Sequence, residues 1–187
     1  MGNRTVVANE LNKVIRLAAN LHAGQTDKSG RPYLGHAERV ANMVRNSGGT
    51  WVQEQAAWLH DAIEDTEATP QFLLDKGIPS TVVDIIRAMT HGNNEPNINY
   101  WQRIVHTPGA RLVKLCDIYD NLDPSRLCYL DEKTQERLIG KYASALAVLC
   151  KPEGPADPFC YACGNSMQPA GSFRYVCPSC GNIDEHF

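Results

Sequence analysis

Four ionisable residues stand close together in an otherwise apolar stretch, residues 58–66. His60 and Asp61 are adjacent, and Glu64 and Asp65 follow one helical turn later, so a helix would direct all four into one sector. The His-Asp pair offers one nitrogen and one oxygen ligand to a divalent metal, and the later carboxylates are near enough to act on water there. The alternative is a solvated helix face, because Asp and Glu are usually exposed.

A second group of chemically active residues lies near the C-terminus. Two Cys-x-x-Cys-Gly knuckles contain Cys160, Cys163, Cys177 and Cys180, and thirteen residues separate Cys163 from Cys177. Four thiolates satisfy tetrahedral Zn²⁺, and a segment of this size needs a metal to fold. Two disulfides or redox pairs are the alternative, which the lack of an export signal disfavours. The spacing predicts a zinc ribbon over residues 159–187.

The length, composition and charge of the chain limit the class of protein to which it can belong. The 187 residues, 43% of them hydrophobic, suit one domain with a small appendage. A formal net charge of −3 provides no overall basic field, so general affinity for nucleic acid has no support. Residues 1–25 contain no unbroken apolar run, which predicts neither a signal peptide nor a membrane span. We therefore expect a cytoplasmic protein whose cysteines are reduced, as metal ligands or buried side chains.

Helical periodicity extends over the segments that must position these residues. No stretch before residue 159 alternates like a strand, so the first 150 residues are predicted to be all-α. Thr50 with Gln53 resembles a capping box that opens the helix containing the His-Asp pair. Thr69, Ser80 and Asp131 are expected N-caps. The other predicted helices are Thr5–Ala23, Gly35–Asn46, a helix from Pro70 to Gly77, Thr81–Thr90, Ile98–His106, Ala110–Leu122 and a last helix through Cys150.

Three prolines and a glycine interrupt the chain at residues 151–158. No helix can cross such a segment, so it is predicted to link a helical domain, residues 1–150, to the ribbon. The ribbon's role stays open between contact with nucleic acid, contact with a protein and a structural staple, since few positive charges lie between its knuckles. Cys116, Cys128 and Cys150 fall on predicted helices or their ends and are expected to be buried.

The order of potential metal ligands carries a resemblance. His36, His60-Asp61 and Asp117 resemble the H…HD…D signature of the HD-domain metal-dependent phosphohydrolases, an all-α fold in which these residues bind a divalent cation. More narrowly, residues 22–36, 59–66 and 108–117, with Asn121 four residues later, are similar to the hydrolase domain of RelA/SpoT homologues and to the small alarmone hydrolases. The similarity covers roughly residues 5–150 and stops at the linker.

This resemblance implies hydrolysis of the 3′-pyrophosphate of guanosine tetra- or pentaphosphate, usually with Mn²⁺, by attack of a metal-bound water. Two histidines and two aspartates also suit Mn²⁺ or Fe²⁺ on chemical grounds. The resemblance and the one-turn offset assign acid/base roles to Glu64 and Asp65. Lys28 and Asn121 are the candidates for binding the substrate.

Two positions depart from the family pattern. Asp27 occupies one place of a usual basic pair, and Asp123 stands where arginine is common. Both changes replace a cation with an anion, which predicts slower alarmone hydrolysis or a less anionic substrate. Alternatives are therefore another nucleotide or NADPH, or a nucleotide-sensing module whose ribbon binds a partner. The sequence predicts no oligomeric state.

Overall fold

The computed structural model describes residues 2–150 and, in the C-terminal tail, residues 168–169, 174–176 and 183–185; described side chains belong to residues 9–150. Residues 2–150 are helical apart from turns and loops, so the predicted all-α fold is confirmed. Their helices are α1 Gly2–Leu21, α2 Tyr33–Asn46, α3 Trp51–Leu59, α4 Ala62–Asp65, α5 Pro70–Asp75, α6 Ser80–Met89, α7 Asn97–His106, α8 Ala110–Asn121, α9 Pro124–Leu127 and α10 Glu132–Leu149.

The tail contains three short strands, β1 Gln168–Pro169, β2 Arg174–Val176 and β3 Ile183–Glu185. They form an antiparallel sheet in the order β1-β2-β3, with Tyr175 paired to both Pro169 and Asp184. The chain divides into two compact units, residues 1–150 and 151–187. The linker and the four knuckle cysteines lie outside the described residues, so the zinc ribbon stays a prediction.

Helix starts follow local capping chemistry at three predicted positions. Thr50 and Gln53 form a reciprocal capping box. The side chains of Thr69 and Asp131 accept hydrogen bonds from the backbone N–H groups of Phe72 and Thr134. The expected cap at Ser80 is wrong. Helix α6 already includes Ser80, and Pro79, with φ −57°, occupies the N-cap position without a side-chain cap.

The His-Asp stretch is not one continuous helix. Helix α3 ends at Leu59, and Asp61 adopts φ −99° and ψ 3° before α4 begins. On a regular helix adjacent side chains diverge by roughly 100°. This break instead lets Oδ2 of Asp61 lie 3.3 Å from Nε2 of His60. The one-turn offset survives, because the Asp65 amide donates to the Asp61 carbonyl at 2.8 Å.

Helix α3 lies in the middle of the helical unit and contacts α1, α2, α6 and α8. Small side chains such as Ala56 and Ala57 are fully buried there and allow the helices to approach closely. The large fully buried side chains around them include Val40, Leu59, Ile86, Ile104 and Ile118. This packing surrounds His60, whose exposed fraction is 0%.

The three cysteines of the helical unit differ in exposure. Cys116 is buried as expected, but Cys128 and Cys150 are exposed, so that prediction is wrong for both. Each of the two follows the last residue of a helix, where the chain turns toward solvent. Within residues 2–150 and the described strands, no helix combines the length and the apolar character that crossing a membrane requires.

Candidate metal centre and active site

Four residues from distant parts of the sequence converge at the centre of the helical unit. His36 lies in the first turn of α2, His60 and Asp61 lie at the α3–α4 break, and Asp117 lies in α8. His36, His60 and Asp61 each present one ligand atom within 4.8 Å of the others. Oδ1 of Asp117 lies 3.3 Å from Nε2 of His36 and 3.7 Å from Nε2 of His60. The structure thus brings together the four residues that the sequence nominated as ligands.

The outer nitrogen of each imidazole is already engaged. Nδ1 of His60 donates to the Ala57 carbonyl at 2.8 Å, and Nδ1 of His36 donates to Oδ2 of Asp120 at 2.6 Å. In the neutral rings, Nε2 of each histidine therefore carries a lone pair. These two nitrogens face each other at 3.3 Å. This is the arrangement in which partners behind the ring orient metal-ligating histidines.

Other contacts orient the two carboxylates. The Tyr33 hydroxyl donates to Oδ2 of Asp61 at 3.0 Å. The Lys114 ammonium lies 2.8 Å from Oδ2 of Asp117, and the Asn121 amide donates to Oδ1 of the same carboxylate. Burial alone would raise the pKa of Asp117, but the Lys114 charge and the two histidines hold it well below its usual value. Asp117 is therefore a carboxylate ready to bind a cation.

The donor set fits a divalent cation. Two lone pairs and two carboxylates converge in a buried space, and only positive charge relieves their mutual repulsion. The pKa of His36 reflects the same field: burial would lower it, but hydrogen bonds to Asp117 and Asp120 raise it to about 9. Two nitrogen and two oxygen ligands match the chemistry of Mn²⁺ or Fe²⁺.

Sequence reasoning did not assign a role to the charged network behind His36. Asp120, which is 3% exposed, also accepts from Nε of Arg39 at 2.6 Å. Nε of Arg126 lies 3.4 Å from Asp120, while its Nη2 donates to Oδ2 of Asp27 at 3.1 Å. The sequence could have indicated Asp120 by its position, because Asp120 follows Asp117 by three residues and lies on the same face of α8. Arg126 and Asp27 lie 99 residues apart in the sequence, so no local pattern could indicate that they pair.

This network bears on the expectation about Asp27 and Asp123, which stays a prediction. Oδ1 of Asp27 accepts from Ser29 and from the Arg31 amide, and its Oδ2 is neutralised by Arg126 and Arg39. Asp123 accepts from the Ser125 amide as the N-cap of α9, which the sequence reading had missed, and it lines none of the described cavities. Asp27 thus lines the cavity beside the ligands with its charge paired to two arginines, and Asp123 is engaged in capping α9.

A cavity of about 340 Å³ opens beside the four ligands. Lys28 and Asn121, the nominated substrate contacts, line it together, and the Lys28 ammonium donates to Oδ1 of Asn121 at 2.8 Å. Glu64 and Asp65 line the same cavity. Burial and the neighbouring charges of Asp61 and Glu64 raise the pKa of Asp65. The backbone N–H of His91 donates to Oε2 of Glu64 at 2.9 Å.

A larger cavity, of about 730 Å³, adjoins the first. Glu64, Lys114 and Lys141 line both, and the ring of His91 packs edge-on against Tyr100 in the larger one. The sequence analysis gave no role to Lys141. It lies on α10, more than twenty residues after the last matching motif, and only the packing of that helix brings it near the site.

Comparisons with known proteins found relatives of this chain. Residues 15–107 match the family model described as "HD domain". Guanosine-3′,5′-bis(diphosphate) 3′-pyrophosphohydrolase MESH1 of Danio rerio is 33% identical over 125 residues, covering 62% of this chain and 69% of that protein. The Mus musculus MESH1 is 31% identical over 130 residues, covering 65% and 72%.

A solved structure supports the fold. It is described as a metazoan ortholog of SpoT that hydrolyses ppGpp, and it superposes with a TM-score of 0.62 over 74% of this chain and 84% of its own. Its sequence identity is 21%. At that identity the similarity establishes a shared helical fold.

Proposed function

Because the chain belongs to the HD-domain family that includes the MESH1 guanosine-3′,5′-bis(diphosphate) 3′-pyrophosphohydrolases, we propose that it is a metal-dependent phosphohydrolase that removes the 3′-pyrophosphate of guanosine tetra- or pentaphosphate. One observation carries the proposal. Two imidazoles and two carboxylates converge, and three of these groups, His36, Asp61 and Asp117, line a cavity that Glu64, Asp65, Lys28 and Asn121 also line. These are the groups needed to bind a cation, move a proton and hold an anion.

His36, His60, Asp61 and Asp117 would hold the cation, for which we propose Mn²⁺, with Fe²⁺ as the alternative. Such a cation supplies a lowered pKa for coordinated water and compensates negative charge on a phosphate oxygen. The protein contributes fixed ligand directions, because Ala57 and Asp120 orient the imidazoles and Tyr33 orients Asp61. Ligands held in advance need no reorganisation during the reaction.

Asp65 and Glu64 would handle the protons. The raised pKa of Asp65 favours proton acceptance from water at the site and its later transfer to the leaving oxygen. Glu64 is held by the His91 backbone N–H at 2.9 Å, so one of its oxygens is fixed and the other is left to orient water. Both carboxylates border the cavity one turn beyond Asp61.

Lys28 and Asn121 would bind the nucleotide. Their mutual hydrogen bond of 2.8 Å joins the loop before α2 to α8, so the two side chains already share one wall of the cavity. Lys114 adds a third polar group, although its ammonium is bound to Asp117. Charged and amide groups of this kind recognise phosphate oxygens and the hydroxyls of a sugar.

The tail completes the proposal. We assign a structural Zn²⁺ to Cys160, Cys163, Cys177 and Cys180, on the strength of the doubled knuckle spacing alone. No partner is assigned to it. A cytoplasmic location stays a prediction.

A product-release screen tests the function. The purified full-length protein, supplied with Mn²⁺, is assayed for phosphate and pyrophosphate release from guanosine tetraphosphate, guanosine pentaphosphate, other nucleotides and NADPH. We expect pyrophosphate from the two alarmones and a total loss of release when Mn²⁺ is omitted and residual metal is chelated. Release of phosphate from NADPH with no pyrophosphate from either alarmone would replace the proposed substrate. No release from any compound would favour the nucleotide-sensing alternative.

A further inference from the structure

Among the residues that the structure describes, Lys141 differs from the other lysines of the site in having no polar partner. It lies on the boundary between the two cavities together with Lys114. The ammonium of Lys114 is bound to Asp117 and that of Lys28 to Asn121. Among the described contacts, the ammonium of Lys141 has only the ring of Tyr142, whose centroid lies 5.5 Å away. A cation is thus available at this boundary.

The surroundings of Lys141 favour an anion there. Lys141 is exposed at this rim; its partial desolvation, and then the positive charges of Lys114 and Lys28, lower its pKa, while the carboxylates of Asp117 and Glu64 oppose that change. The lysines around the opening repel one another. A bound anion would relieve that repulsion. The alternative is that Lys141 is a solvated lysine at the cavity rim. In that case replacing it would not change the affinity for any ligand.

Cavity size indicates which part of a ligand reaches Lys141. The smaller cavity, about 340 Å³, is at the low end for ligand sites, which span about 300–1,000 Å³. Three of the four proposed ligands, His36, Asp61 and Asp117, and both proton-handling carboxylates already line it. The larger cavity of about 730 Å³ begins at Glu64, Lys114 and Lys141, and has room for the part of a substrate away from the reacting phosphate.

We propose that Lys141 binds a phosphate group of the substrate other than the one hydrolysed, and thereby favours nucleotides that carry a second phosphorylated arm. This inference rests on the proposed function, because it concerns the ligand of the same site. Because Lys141 lines both cavities, it favours a substrate that is long enough to extend from the proposed metal ligands to this boundary and that carries a negative charge at its far end.

Two probes separate a contact with the second arm from a general effect of charge. Guanosine 3′,5′-bis(diphosphate) carries both arms, and guanosine 3′-diphosphate lacks the 5′ phosphates. Binding is measured by calorimetry with Mn²⁺ in proteins that also carry Asp65→Asn, so that bound compound is not consumed. Lys141→Met should raise the Kd of the first probe about tenfold, the effect of one charge-assisted hydrogen bond, and change that of the second less than about twofold. Lys141→Arg should retain most of the affinity.

Lys133→Met is the matched control, because Lys133 is exposed on the same helix and lines neither cavity. Equal weakening of both probes, or none, by Lys141→Met overturns the inference. The wild-type release assay judges the proposed function separately. If the wild type releases no pyrophosphate but binds both probes, the proposed function fails and the ratio of the two Kd changes still decides the role of Lys141. Failure to bind either probe overturns both proposals.

Discussion

Asp120 accepts a hydrogen bond from Nδ1 of His36 at 2.6 Å, so a carboxylate on α8 fixes the orientation of an imidazole on α2. The same carboxylate is bound by Arg39 and Arg126, and Arg126 continues to Asp27 in the loop before α2. The ligand set is therefore held by an ion network that reaches the loop containing Lys28. Disturbing the network should alter the metal site without touching a proposed ligand.

Replacing Asp120 tests this orientation. We expect Asp120→Asn to weaken binding of Mn²⁺ by about 10–100-fold, the usual effect of losing the partner of a ligating histidine. Competition with a fluorescent chelator measures the affinity, and circular dichroism checks that the helices remain. Asp123→Asn is the control, since Asp123 is a partly exposed helix cap three residues further on. Unchanged affinity in the Asp120 variant would show that other contacts orient His36.

Metal content tests the ligand assignment. The full-length protein should contain two metals per chain, one zinc in the tail and one Mn²⁺-like ion at the site of Asp61. Asp61→Ala should lose the second metal and all hydrolysis while keeping its helices, because Asp61 lies at a helix break and its side chain is partly exposed, so the core does not depend on it. Elemental analysis counts both metals. Hydrolysis that persists in this variant would exclude Asp61 as a ligand.

Stability at low pH should depend on Asp27. Burial would raise its pKa, but hydrogen bonds from Ser29 and the Arg31 amide and the charge of Arg126 lower it to about 2 from the usual 3.8. A carboxyl with a lower pKa in the folded state stabilises the fold above its usual pKa and loses that contribution as pH falls toward 2. Asp27→Asn should therefore unfold more easily at pH 7 and show a flatter loss of stability between pH 4 and 2.

Urea unfolding at a series of pH values measures the effect of Asp27. The cost at pH 7 should be on the order of 1–3 kcal/mol, because Nη2 of Arg126 loses its charged partner while Nε keeps its contacts with Asp120. Asp84→Asn serves as the control, since Asp84 is exposed on α6 and its contact with Arg87 is a surface ion pair at 3.9 Å. A pH profile identical to that of the wild type would mean that the Asp27 contacts contribute nothing to folding.

Replacing Asp27 and Asp123 with arginine, the kind of residue that the family pattern has at these positions, should not improve catalysis. In Asp27→Arg, a third guanidinium would face Arg39 and Arg126 inside a network that now pairs them. We expect lower stability and no gain in kcat/KM for guanosine tetraphosphate. The single variant Asp123→Arg should leave kcat/KM within about twofold, because the residue caps α9 in solvent and its charge is screened. A rise in kcat/KM in the double variant Asp27→Arg, Asp123→Arg would instead support the charge argument drawn from the sequence.

A shortened chain tests the predicted domain boundary. A protein that ends at Lys151 should keep its helical circular dichroism and its hydrolysis, because the compact unit of residues 1–150 contains all four proposed Mn²⁺ ligands and both cavities. Thermal unfolding and the release assay compare it with the full chain. Insolubility or loss of activity in the shortened chain would mean that the tail is needed by the helical unit.

Local chemistry is what the sequence by itself determined. Apolar spacing predicted the helices, and three caps followed from side chains within three residues of the backbone groups that they bind. His36, His60, Asp61 and Asp117 could be nominated because residue type and order alone indicate metal chemistry. The prediction of a continuous helix through residue 61 was wrong. The helix breaks at Asp61, where the side chains of Asp61 and His60 converge, and helix propensity did not indicate this break.

Tertiary structure decided the partners of the charged residues. The sequence assigned Asp27 to the substrate's field, yet packing pairs it with Arg126, 99 residues away, and buries the pair. Asp120 became the partner of His36 only when α2 and α8 packed together, and Lys141 reached the site only through the placement of α10. Such contacts depend on how whole helices pack, and helix packing is governed by the shape of the entire core and leaves no local pattern in the chain.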